Sequence, residues 1–110
     1  MGDVEMSVAA INNLIHKIEE DGSGLKGYAN IIQFEFTDLG ETYSVQFLGD
    51  KAEMVEVERG ACLVQISSEN FQKLVSGELN PQTAFFFGKI KAKGDLTQLL
   101  KLSSILDYYK

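Results

Sequence analysis

The chain has 110 residues, 45% of them hydrophobic and 24% charged, with one proline and one cysteine. That is one domain's worth of polypeptide, able to bury roughly two-thirds of its unfolded surface, and it excludes disorder, low complexity and an internal disulfide. Ten basic residues stand against 16 acidic ones, a formal charge of −6; a phosphate-tracking face needs clustered Lys and Arg, so nucleic acid is not an expected partner.

The same reading places residues 1–110 in a single domain without linker or repeat. No stretch approaches the ~18 apolar residues of a membrane span. Gly2-Asp3-Val4-Glu5 is acidic where a secretory leader is basic, Met6 stands where a myristoylation pattern has Ser or Thr, and Asp107-Tyr108-Tyr109-Lys110 is neither a prenylation box nor a peroxisomal tail. With Cys62 a lone thiol in an apolar run, the cytoplasm is the expected location.

From Asp3 to Asp21, Val4, Val8, Ile11, Leu14, Ile15 and Ile18 recur at threes and fours and predict an amphipathic helix stopped by Gly22. After the loop Gly22 to Gly27 the period becomes two: Ile32, Phe34 and Phe36 predict a first strand, and Tyr43, Val45 and Phe47 a second beyond the turn Asp38-Leu39-Gly40-Glu41. Ala52 to Val57 predicts a third, whose Glu53 and Glu56, with Glu58 just beyond, suit an edge. Cys62, Val64 and Ile66 share one face of a fourth strand. Ser67 or Ser68 caps a helix with the stripe Phe71, Leu74 and Val75, ended by Gly77. Asn80-Pro81 opens a brief helix through Phe86, Lys89 to Lys93 predicts a fifth strand, and Asp95 caps a last helix to about Leu106. The order gives an α+β fold: a five-stranded mixed, mostly antiparallel sheet with helices over one face.

Few residues offer chemistry. Gly22-Ser23-Gly24-Leu25-Lys26-Gly27 matches GxGxxG, but it follows a helix and precedes a strand, the reverse of a dinucleotide loop, and reads as a connector. His16, the sole histidine, sits one turn from Glu20 as in a solvated helical pair, and one His with one Cys does not make a metal site. No cofactor, metal or catalytic group is expected. Apolar side chains are in surplus instead. Leu96, Leu99, Leu100, Leu102, Ile105 and Leu106 span more than the roughly 100° that packing on a sheet uses, and Phe85-Phe86-Phe87 aims three rings in different directions. They wall or lid an apolar cavity, or they fill a generous core or a homodimer face.

The run Gly77-Glu78-Leu79-Asn80-Pro81-Gln82-Thr83-Ala84-Phe85, then Gly88-Lys89-Ile90-Lys91-Ala92-Lys93-Gly94-Asp95 and Lys101-Leu102, resembles the signature half of the sterol carrier protein two family. Phe34 to Asp38, Gly40 to Tyr43 and Ile66 to Phe71 follow the same order, so the resemblance spans nearly the whole chain. It implies an internal apolar cavity between sheet and helices that holds a fatty acid, acyl-CoA, sterol or isoprenoid without chemistry. Phe85 and Ile90 match core and tunnel positions, and the last helix matches the cover. Two places depart from the family: Phe86-Phe87 stands where Met or a smaller residue is usual, and Ala92 where a larger aliphatic is. The basic first helix of animal members is acidic here, which disfavours docking on membranes by that route.

The lipid-contacting residues expected are Phe34, Phe36, Val45 and Phe47 of the strands, Phe71 and Leu74, then Gln82 as a polar head-group contact, Phe85, Phe86 and Ile90, and Leu99, Leu102, Ile105 and Leu106 of the last helix. Lys89, Lys91 and Lys93 are the expected anion- or membrane-facing surface. The chain is expected to act as a monomeric, stand-alone carrier with transient membrane contact. The alternative is an apolar interaction module, as a homodimer or a lipid-presenting accessory subunit.

Overall fold

The structure is a computed structural model and describes residues 3–110; Gly2, part of the acidic start, lies outside the described residues. Helix α1 (Asp3–Glu20) buries Ile11, Leu14, Ile15 and Ile18 of the predicted stripe, while its Val4 and Val8 are part-buried and Ser7 and Ala10 are buried in addition. A 3-10 turn at Gly22–Leu25 leads into β1 (Ala29–Phe36), β2 (Glu41–Leu48) and β3 (Ala52–Val55); then come β4 (Cys62–Ile66), α2 (Ser68–Ser76), α3 (Pro81–Phe86), β5 (Lys91–Gly94) and α4 (Gln98–Tyr109).

The strands form one sheet in the order β3-β2-β1-β4-β5. All neighbours are antiparallel except β1 and β4, which run parallel with Ile32 opposite Cys62 and Phe36 opposite Ile66. Alternation sorts the side chains. Ile32, Phe34, Phe36, Val45, Phe47, Cys62, Val64 and Ile66 point to one face and are all buried, while Gln33, Ser44, Gln65, Lys91 and Lys93 lie on the other. The helices cover the apolar face.

Three predicted boundaries move, each because a hydrogen bond diverts the chain. The third strand stops at Val55 rather than Val57, since the segment after it leaves the edge and crosses the outer face towards β4. Gln33 Nε2 donates to the Val57 carbonyl at 3.3 Å and to Ser44 Oγ at 3.1 Å, and the Ala61 N–H donates to the Ile31 carbonyl at 2.8 Å. The fifth strand starts at Lys91 rather than Lys89, because the Lys89 and Ile90 N–H groups both turn back to the Ala84 carbonyl. Asp95 does not cap the last helix directly: its Oδ1 accepts from the Thr97 N–H at 3.1 Å in a preceding turn, and α4 begins at Gln98 and continues to Tyr109. His16 pairs with Glu19 at 3.7 Å rather than with Glu20.

The short helices are fixed at their starts. Ser67 Oγ accepts from the Asn70 N–H, as the sequence predicts, and Asp38 adds a second lock by accepting from both the backbone N–H and the hydroxyl of Ser68. Asn80 Oδ1 accepts from the Gln82 and Thr83 N–H groups ahead of α3. Thus held, α2 drives Phe71 between Phe34 and Phe36, with ring centroids 5.2 Å away in both cases and edge-to-face geometry. Phe71→Ala is expected to cost about 3–5 kcal/mol of unfolding free energy in urea titration, while Phe86→Ala, on the surface, stays within about 0.5 kcal/mol.

Candidate functional site

Many of the expected site residues meet between the inner sheet face and the helices. Phe34, Phe36, Val45, Phe47, Phe71, Leu74 and Ile90 are buried there together with Leu99, Leu102, Ile105 and Leu106 of α4. These side chains pack on one another. The last helix resolves its wide apolar arc by splitting it: Leu99, Leu102, Ile105 and Leu106 turn inward, whereas Leu96 and Leu100 are 42% and 52% exposed.

The remaining expected residues lie elsewhere. Phe85 is half-buried against the edge of the core, Gln82 and Phe86 are exposed, and Lys89, Lys91 and Lys93 are exposed beyond α3. Asn80 and Pro81 explain this: they fix the phase of α3 so that Pro81 and Ala84 face inward, which turns Gln82 and Phe86 out.

Residues the sequence reading passed over hold the cover in place. Tyr109 at the end of α4 donates its hydroxyl to the Asp21 carbonyl and accepts from the Gly24 N–H at 3.1 Å; Tyr108 donates to Asp21 Oδ2 at 2.6 Å. Lys17 Nζ of α1 donates to the Tyr109 carbonyl at 2.9 Å. A Cβ on Gly24 would lie 2.4 Å from the Tyr108 ring and 2.6 Å from that of Tyr109, and one on Gly22 only 2.0 Å from the Asp50 carbonyl oxygen. Gly22 and Gly24 of the GxGxxG run therefore serve close packing, and Gly27 a left-handed turn at φ +80°. The adjacent tyrosines were the available signal, since their amphipathic rings at a helix end call for polar partners on another element. At the other end of α4, Gln98 accepts a hydrogen bond from Tyr28, whose phenol is pushed up to about 12 chiefly by burial.

An open groove of about 340 Å³ runs between α1 and α2, floored by Ala10 and Leu14 and flanked by Met6, Val75, Lys17 and Tyr109. A second hollow, about 570 Å³, lies where the Val55–Val57 segment passes Gln33, Thr42 and Ser44. Chemistry-bearing groups are sparse around both. Burial, with Asp95 nearby, pushes the Cys62 thiol up, so it stays protonated, and among the described residues no three His, Cys, Asp or Glu side chains converge to hold a metal ion. No helix among those residues is long and apolar enough to cross a membrane.

With this geometry, an apolar interior roofed by a helix over one face of a 3-2-1-4-5 sheet, the chain can be compared with known proteins. The model of the SCP-2 sterol transfer family matches residues 11–107, and the chain belongs to that family. It is 28% identical over 96 residues to human sterol carrier protein 2, covering 81% of this chain and 18% of that protein. The solution structure of the sterol carrier protein domain 2 of Helicoverpa armigera superposes with a TM-score of 0.64 at 27% identity, over 87% of this chain and 81% of that one. Palmitated SCP2L2 from Aedes aegypti shares the fold, with a TM-score of 0.69 at 20% identity over 88% of this chain and 90% of that one. This chain spans less than a fifth of the length of the curated relatives it matches.

The Asp38–Ser68 lock is testable by pH. Hydrogen bonds from the Ser68 hydroxyl and N–H hold the Asp38 carboxyl below its ordinary range. A carboxylate depressed on folding contributes stability that is present above its unfolded value and is lost as pH falls through the folded one. The difference in Tm between wild type and Asp38→Asn is therefore expected to be fully present at neutral pH and to shrink below about pH 4. A difference that stays constant down to pH 2.5 contradicts the charged lock.

Proposed function

We propose that this chain binds a long-chain lipid between the inner sheet face and α4, and carries it without chemical change. One observation supports this above others: the surfaces that meet there, from Phe34 and Phe47 on the strands to Leu102 and Ile105 on α4, present no charged group. Such a lining attracts apolar ligands, and its thiol, Cys62, is kept protonated by burial and so is a poor nucleophile. Membership of the family and the names of the relatives, a sterol carrier and a palmitated protein, point the same way. Fatty acid, acyl-CoA, sterol and isoprenoid are the classes that fit. Contact is assigned to the buried residues and to Phe85; Gln82 and Phe86, on the surface, drop out of the lining.

Because those side chains touch one another, a ligand must part them. The cover is held at its ends, by Gln98 to Tyr28 and Asp95 at its start and by Tyr108 and Tyr109 at its finish, so its middle is the part that gives way. Burying ~300 Å² of an acyl chain contributes roughly 7.5 kcal/mol before association costs, the scale of a micromolar complex. Delipidated protein titrated with a fluorescent long-chain fatty acid is expected to give saturable binding in the micromolar range, reversed by unlabelled palmitate. Absence of saturable binding for every lipid class would falsify the carrier reading.

A further inference from the structure

Phe86 and Phe87, at the C-terminal end of α3, are 82% and 69% exposed, more than any other large apolar side chain among the described residues. Their rings do not fold back on the protein. They stack edge to face on each other at 5.3 Å, outside the core that Ala84 and Pro81 complete. Beyond them in the chain Lys89 and, on the outer face of the edge strand β5, Lys91 and Lys93 are exposed, and among the described residues none of the three forms an ion pair. Between Glu78 and Asp95 there is no acidic residue at all, so a chain of net charge −6 carries a purely cationic segment beside its two bare aromatic rings. At the adjoining α2 start, where Asn70 Nδ2 reaches the Lys89 carbonyl, Glu69 is engaged by Lys73, and on the outer face Glu35 accepts from Gln65, the residue paired with Lys91.

We propose that the α3–β5 corner is a docking element for anionic membranes, with Phe86 and Phe87 entering the headgroup–acyl boundary while Lys89, Lys91 and Lys93 face lipid phosphates. Aromatic side chains gain from the interface because they leave water without reaching the bilayer centre, and lysines beside them gain from the negative surface potential. The charges decide between this occupant and a second copy of the chain. A two-fold contact through the phenylalanines would set the lysine row of one copy against that of the other, and like charges juxtaposed in that way oppose association. An anionic bilayer satisfies rings and cations together. The element goes beyond lipid carriage, since it specifies the surface at which a lipid is collected or delivered, and it stands or falls separately from the interior.

The test is co-sedimentation with vesicles of phosphatidylcholine alone and of phosphatidylcholine with one-third phosphatidylglycerol, at low and high salt. Wild type is expected to bind the anionic vesicles at low salt and to release at high salt. Each lysine near such a surface is worth about fivefold in binding and each buried ring about tenfold or more. Phe86→Ala/Phe87→Ala and Lys89→Gln/Lys91→Gln/Lys93→Gln are therefore each expected to lose at least about a hundredfold, with unchanged circular dichroism and unchanged fatty-acid titration in solution. Equal binding by wild type and both variants overturns the proposal, as does concentration-dependent dimerisation that the phenylalanine variant abolishes while vesicles are ignored. Vesicle binding without any fatty-acid binding leaves the docking element standing and removes the carrier reading instead.

Discussion

The inner face of the sheet sets the terms for everything above it: Phe34, Phe36, Phe47 and the aliphatic residues beside them form a continuous apolar surface that must be taken out of water. No single helix is wide enough. Phe71 from α2 wedges into the gap between Phe34 and Phe36, Leu102 and Ile105 descend from α4, and Ile11 and Ile18 of α1 close the remaining side. Polar contacts do not supply the driving force, yet they decide where the apolar pieces land. Asp38 holds the start of α2 through Ser68, and Asp21 and Gly24 hold the end of α4 through Tyr108 and Tyr109.

That division of labour gives the molecule two unlike sides. Over the apolar face the cover is fastened mainly at its ends, by the tyrosines at one and by the Tyr28–Gln98 contact at the other. The opposite face is polar and bound by the crossing segment that Gln33 ties down through the Val57 carbonyl. A sheet pinned on its outer side and roofed on its inner side by an end-tethered helix can admit a guest on the roofed side while its strands stay paired. Carriage of a lipid is the function we propose for such an asymmetry.

Much of this was legible from periodicity. The alternation of Ile32, Phe34 and Phe36, the stripe of α1, and the caps at Ser67 and Asn80 are local patterns whose physics acts within a few residues, and the structure keeps them. What sequence reading missed is long-range. Nothing near Val57 announces that its carbonyl is claimed by Gln33, and nothing near Lys89 shows that its N–H returns to Ala84, so periodicity alone makes both strands too long. Burial follows the same rule: the inward positions of the strands and of α4 are legible, while the exposure of Gln82 and Phe86 is not, because the phase of a helix as short as α3 depends on how its cap seats. The resemblance to sterol carrier proteins carried the functional step that periodicity alone does not reach.

If the roof opens over an intact sheet to take in a lipid, hydrogen–deuterium exchange with and without a saturating fatty acid registers the opening. Amides of α4 are predicted to exchange through local opening, well ahead of those of β1 and β4, and to be the most strongly slowed when ligand is added. If α4 exchanges only together with the central strands, and the fatty acid changes neither, the helix is a fixed part of the core and the account fails.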